Sequence, residues 1–337
     1  MKKILIIQTA SIGDVILATP LLEKLHHVFP EASIDFLLKK GNEGLFKNHP
    51  FLHETLVWDK SSDAWLNFDK LMHRVWSTRY DLVVNIQRFL MTGLMTAFSR
   101  AQLKIGFDKN PMSFLFTRRI RHRIGKGVHE IDRNLSLIEE FRDPRISGWQ
   151  PSSVIRYLPC LYPSKEDEEK VKPFLRPDYY TISPASLWFT KQFPAEKWIE
   201  LIKLIPEDKT IYLLGAPGDH ALCEEIRSKS GLAAAINLCG RLSFLQSAAL
   251  MKHAQMNFTN DSAPMHLASS VNAAVTVIYC STVPEFGFGP LSDNTAVIET
   301  PEKLPCRPCG LHGFRKCPEK HFRCALGIPP ELLLKRL

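Results

Sequence analysis

The feature that most constrains this chain is a rhythm. Short apolar runs close on a turn, a helical pattern follows, and the cycle occurs in two series with a proline-rich break between them. Residues 3–9 (KILIIQT) are continuously apolar and β-branched rather than alternating, the signature of a strand buried on both faces. Similar runs recur at 33–39 (SIDFLLK), 55–58 and 80–86 (YDLVVNI), with helical patterns between them. Pro20 falls inside the first helical run and predicts a kink or a restart there. Pro144, Pro151, Pro159, Pro163, Pro173 and Pro177 then interrupt the rhythm, as an interdomain crossover would. A second series has predicted strands at 179–183, 210–214, 234–238, 256–259 and 274–279, with helices at 195–205 and 244–252.

Strand and helix in alternation predict a parallel sheet covered on both faces. The expected fold class is therefore α/β, with two doubly wound Rossmann-like domains facing a cleft. The expected boundaries are 1–165 for the first domain, 166–325 for the second, and 326–337 for a C-terminal helix. The length of 337 residues suits two such domains. Hydrophobic residues at 45 % and charged residues at 23 % exclude a disordered chain. No apolar run approaches the roughly 18 residues that span a bilayer. The apolar residues after Met1-Lys2-Lys3 stop at Gln8 with no small-residue cleavage site after them, so the segment does not read as a signal peptide and the cytoplasm is the expected compartment.

The net charge is +8, and residues 118–126 (RRIRHRIGK) hold five basic side chains and no acid. Arg118, Arg119, Arg121 and Arg123 either attract an anion (nucleic acid, anionic lipid or a phosphorylated substrate) or simply solvate a surface loop.

In doubly wound sheets ligands bind beyond the carboxyl ends of the strands, so the turns that follow strands are the informative ones. Three stand out. In Ser11-Ile12-Gly13-Asp14, Gly13 permits a tight turn and Asp14 opens a helix. Its carboxylate either caps free N–H groups or serves as a general base. In 183–194 (SPASLWFTKQFP), Lys191 supplies charge while Ser186 and Thr190 supply hydroxyls, a set suited to a phosphate. In 260–266 (NDSAPMH), Pro264 suits the first turn of a helix whose free N–H groups can hold an anion, and His266 lies on that turn. An ionised Asp261 would repel a diphosphate, so it is expected to cap the helix or accept sugar hydroxyls. Each turn also reads as an ordinary capped or polar loop. Neither G-x-G-x-x-G nor G-x-x-x-x-G-K-[ST] is present.

Cys306, Cys309, Cys317 and Cys324 crowd the tail. Their spacing contains one C-x-x-C where a standard metal ribbon has two, leaving open a small structural metal knot or a reduced, partly buried thiol loop.

The order of these pieces resembles one family. ILIIQTASIGDVILATPLLEKLHHVFPEASIDFL resembles the opening of the bacterial ADP-heptose–lipopolysaccharide heptosyltransferases, glycosyltransferase family nine. VHEIDRNLSLIEEF, TKQFPAEKW, YLLGAPGD, LCGRLSFLQSAALMKHA, NDSAPMHLASSVNAAVTVIY and the Cys-rich tail resemble the same family in the same order. The resemblance covers essentially the whole chain. It implies a GT-B fold and metal-independent, inverting transfer of heptose from ADP-L-glycero-β-D-manno-heptose to the lipopolysaccharide inner core, with no cofactor and no nucleic acid.

By position, Asp14 matches the family's proposed base and Lys191 its diphosphate lysine. Ser186, Asp261, Ser262, Ala263 and His266 match donor-site positions. Leu187 falls where some members have a hydroxyl, so its contact would have to come from the backbone. Pro217 falls near a ribose-binding Glu of some members, with Asp219 as a substitute two residues on. Ser262-Ala263-Pro264 resembles the second heptosyltransferase type more than the first. The basic run would dock the anionic lipid A–core at the cytoplasmic face of the inner membrane. Two other readings stand beside this one: another GT-B nucleotide-sugar enzyme such as an epimerase, and a non-enzymatic anion-binding protein.

Overall fold

Twelve strands fall into two parallel sheets. In the first, β1 (Lys3–Gln8), β2 (Ser33–Lys39), β3 (Leu52–Trp58), β4 (Leu82–Asn85), β5 (Leu103–Phe107) and β6 (Arg118–Ile120) lie in the order β3-β2-β1-β4-β5-β6. In the second, β7 (Tyr179–Ser183), β8 (Thr210–Leu213), β9 (Ala235–Asn237), β10 (Met256–Asn260), β11 (Val275–Tyr279) and β12 (Thr295–Glu299) lie in the order β12-β11-β10-β7-β8-β9. Every neighbouring pair is parallel. The two orders are the same doubly wound topology, once per series. This computed structural model describes residues 1–61, 63–125, 127–139 and 155–337. Lys126, Pro144 and Pro151 lie outside the described residues.

The chain divides into two compact units, Met1–Tyr162 and Pro163–Leu337. In the first, Leu5 and Ile7 of β1 pack with Leu37, Val83 and Met95, all buried. In the second, Ile182 and Phe258 of the central strands pack with Trp198 and Ile202 of the helix Ala195–Leu204. The strands that pair in each centre are buried along nearly their whole length. That explains why the sequence shows unbroken apolar runs there and not alternation.

Pro20 restarts the first helical run. One helix covers Ile12–Ile16, and a second, Thr19–Val28, begins with Pro20 in its first turn. Two expectations are revised. Arg118-Arg119-Ile120 is not a loop but the edge strand β6, pairing Arg119 with Gly106 of β5. The end of the chain is not one helix over 326–337 but two short ones, Arg323–Leu326 and Glu331–Leu334, broken by Gly327 and Pro329-Pro330. Among the described residues no helix is long and apolar enough to cross a membrane.

Candidate active site

Sheet order decides where a ligand goes. In each sheet the winding reverses between the two central strands, β1 and β4 in the first unit and β7 and β10 in the second. The crevice beyond the carboxyl ends at such a reversal is the usual ligand site. All three turns singled out in the sequence lie there. Residues 11–14 follow β1, residues 184–191 follow β7, and residues 261–266 follow β10.

Asp14 is the third residue of the helix Ile12–Ile16, with Ser11 at its N-cap. Its Oδ2 accepts from the Ser11 backbone N–H at 3.1 Å and from the Ser11 hydroxyl at 2.5 Å. One oxygen thus performs the capping role, and Asp14 is only half-buried, so the carboxylate keeps a face toward solvent. The helix Glu130–Glu139 supports this corner, where Asn134 Nδ2 donates to Leu17 O at 3.0 Å. Burial pushes the Glu130 carboxyl up. The neighbouring Arg133, bonded to it at 2.7 Å, opposes that rise, and the charges of Asp14 and Arg88 also reach it.

Arg88 belongs to a feature that sequence reasoning missed. Arg88, Phe89, Lys109, His122 and Ile124 line an open depression of about 540 Å³. These residues follow β4, β5 and β6 at their carboxyl ends. Burial, then the charges of Arg88 and Arg133, lower His122 to about 4, and its ring packs edge-on against Phe107 at 4.6 Å. Arg118, Arg119, Arg121 and Arg123 are exposed on or next to β6, of which His122 and Ile124 are the continuation. Phe89, Leu90, Phe98, Phe114, Leu115 and Ile124 of the same unit are exposed apolar side chains.

In the second unit the loop after β7 is shaped by Asn260 at the end of β10. Its Nδ2 donates to Pro184 O at 2.7 Å, and its Oδ1 accepts from Phe193 N at 2.9 Å. Gln192 Nε2 donates to Ser186 O at 2.5 Å. Ser186 is half-buried and Leu187 is 86 % exposed, so Leu187 presents backbone to a ligand more readily than a functional side chain. Lys191 Nζ lies 2.7 Å from Asp261 Oδ2, and both side chains are largely buried. The same oxygen accepts from Thr282 Oγ1 at 2.6 Å. Asp261 is thus neutralised by Lys191 and does not face a ligand as an unpaired anion. Ser262 is the extended N-cap of the helix Ala263–Ser269, and His266 is 6 % exposed. Asp219 Oδ2 accepts from Ala216 N at 2.8 Å and closes the turn after β8.

Thr190 departs from expectation. Its hydroxyl is 1 % exposed and accepts from Phe314 N at 2.7 Å. It is held by the protein and is not available to a phosphate.

Of the four clustered cysteines, Cys324 is buried and Cys306 and Cys317 pack at the edge of the same core. Burial and the neighbouring sulfurs push Cys324 up to about 12 and raise Cys309. Among the described residues, the group of three potential ligands with atoms within 4.8 Å of one another is Asp35, His53 and Glu54. It lies at the amino ends of β2 and β3, the opposite end of that sheet from the turn at residues 11–14. Its members are already engaged: Asp35 with Tyr80 at 2.6 Å and His53 at 2.7 Å, and Glu54 with Arg74 at 2.8 Å.

Comparison with known proteins shows the family and the fold. The family model described as Glycosyltransferase family 9 (heptosyltransferase) matches residues 68–313. Lipopolysaccharide heptosyltransferase 3 of Escherichia coli is 24 % identical, over 84 % of this chain and 84 % of its own. Lipopolysaccharide heptosyltransferase 2 of Escherichia coli K12 is also 24 % identical, over 99 % of this chain and 97 % of its own. The solved structure of the E. coli ADP-heptose lipopolysaccharide heptosyltransferase II superposes with a TM-score of 0.80 at 22 % identity, covering 100 % of this chain and 97 % of that one.

Proposed function

The chain belongs to glycosyltransferase family 9, the heptosyltransferases, and from that premise we propose that it moves heptose from ADP-L-glycero-β-D-manno-heptose to the lipopolysaccharide inner core with inversion at the anomeric carbon. The observation that carries this reading is Lys191: a largely buried cation at the reversal point of the second sheet, beside the N-cap of a helix.

The donor binds the second unit. Its diphosphate meets Lys191 and the backbone N–H groups at Ser262 and Ala263, with Ser186 and the Leu187 backbone alongside. Asp261 and His266 face the sugar, and Asp219 the ribose. Lys191 turns from Asp261 toward the phosphates as ADP departs, so leaving-group charge is met by a preset cation.

The acceptor binds the first unit. Arg88, Lys109 and His122 hold its anionic groups in the depression after β4, β5 and β6, and Arg118, Arg119, Arg121 and Arg123 extend the positive surface. Asp14 takes the proton of the attacking hydroxyl while the sugar passes through an oxocarbenium-like state. The exposed Phe89, Leu90, Phe114 and Leu115 beside these cations suit an enzyme of the cytoplasm that works peripherally on the inner face of the membrane.

The test is direct. The protein is incubated with ADP-heptose and with lipid A–core species that lack heptose, and products are identified by mass. One added heptose with release of ADP is expected. Isomerised sugar nucleotide in the absence of acceptor would favour an epimerase instead.

A further inference from the structure

The Cys-rich segment plays no part in the mechanism above, yet it is bonded to Thr190, the chain neighbour of Lys191, and to Thr282, which holds Asp261. The first connection runs through Thr190. The Thr190 N–H donates to Phe314 O at 3.1 Å, and the Phe314 N–H donates back to the Thr190 hydroxyl at 2.7 Å. Ser281 Oγ lies 3.0 Å from that hydroxyl. Gly313 has φ +77°, and a Cβ there would lie 2.9 Å from Thr190 Oγ1 and 3.0 Å from Lys191 Cγ. The tail backbone therefore touches the stem of the lysine, and only glycine fits that approach.

The second connection runs through Arg307. Its guanidinium donates to Cys280 O at 2.7 Å, Thr282 O at 2.8 Å and Tyr279 O at 3.2 Å, and it pairs with Glu299. Cys309 N donates to Ser281 O at 2.8 Å. These bonds fix the residues that follow β11, among them Thr282, whose hydroxyl holds the same Asp261 oxygen that Lys191 contacts. Thus the tail holds the lysine by its stem and the aspartate from behind.

A lysine has four rotatable bonds, and immobilising its side chain on binding costs rotamer freedom. A stem already packed has lost part of that freedom before the ligand arrives. We propose that the segment from Arg307 to Phe314 is a positioning element of the donor site, acting through Thr190, Gly313 and Arg307 to preset Lys191 and Asp261 for the donor's diphosphate. This rests on the donor-site reading above.

The experiment compares Thr190→Val, Thr190→Ser and Gly313→Ala with the unaltered protein. ADP affinity is measured by calorimetry, and KM is measured separately for donor and acceptor. Thr190→Val and Gly313→Ala should weaken ADP binding and raise donor KM about tenfold, the equivalent of one lost hydrogen bond to a preset group. Acceptor KM should stay within about twofold, and Thr190→Ser, which keeps the hydroxyl, should restore most of the affinity. Unchanged ADP affinity and donor KM in the altered proteins would overturn the proposal, as would an equal loss in donor and acceptor parameters. If Thr190→Val does not fold, Arg307→Lys is read by the same criteria. Absence of ADP binding by the unaltered protein would instead overturn the donor-site reading itself.

Discussion

Lys191 and Asp261, seventy residues apart in sequence, meet at 2.7 Å on either side of the second sheet's reversal point. In the proposed donor site the pair accounts for a carboxylate beside a diphosphate: its charge is balanced by Lys191, which the donor would then share. Lys191→Ala removes the cation and leaves the buried Asp261 carboxylate held by the Thr282 hydroxyl. ADP affinity should fall about 10- to 100-fold, the worth of a bond to a charged group, and kcat should fall with it. Calorimetry and steady-state kinetics on one preparation check this.

The depression after β4, β5 and β6 makes a separate prediction. Arg88→Ala or Lys109→Ala should raise acceptor KM about 5- to 30-fold, with ADP affinity unchanged. A combined neutralisation of Arg118, Arg119, Arg121 and Arg123 should act mainly by reducing the salt dependence of acceptor KM. The free His122 is neutral at pH 7, because burial and the nearby arginines hold it at about 4. An anion bound beside it raises that value, so acceptor affinity should strengthen as pH falls from 7 toward 5. A titration of acceptor KM at fixed salt measures it.

The first unit should be sensitive to acid through His49. Its ring packs edge-on against Phe51 at 4.5 Å and Tyr162 at 4.8 Å, and its Nδ1 accepts from Leu52 N at 3.2 Å. Burial, with the charge of His26 second, lowers it to about 4. The unfolded chain takes up this proton near pH 6.5, whereas the folded chain does so only near 4. Stability is therefore lost as pH falls across that window. Discounted for partial exposure, the loss is on the order of 1–2 kcal/mol, or about 2–6 °C in Tm. His49→Asn keeps an acceptor for Leu52 N and cannot titrate, so its Tm should decline less between pH 6.5 and 4.5.

The parts of this molecule that were legible in the sequence share a physical cause. β1, β7 and β10 are buried on both faces, so their apolar runs are unbroken. The turns after them carry Gly, Pro, Ser and Asn, which mark a strand's end without tertiary help. β5 and β6 were not legible because LKIGF holds a lysine and a glycine, and RRI is an edge strand of three residues with two exposed arginines. β12 is a partly exposed edge strand. In the site, Asp14 and Lys191 announce themselves by their local turns. Arg88, Lys109 and His122 come together only when three strands lie side by side, and Thr190 reads as a phosphate ligand until Phe314 is seen to occupy it.

The central claim is that Asp14 is the base. Its Oδ2 accepts from the Ser11 N–H and hydroxyl in the first turn, and the side-chain oxygen of Asn can accept the same bonds. Asn cannot accept the acceptor's proton. The deciding measurement is kcat of Asp14→Asn, taken with Tm and ADP affinity on the same sample. The account predicts near-normal Tm and ADP affinity with kcat down on the order of a hundredfold or more. A kcat close to that of the unaltered protein would contradict it and leave Asp14 as a helix cap.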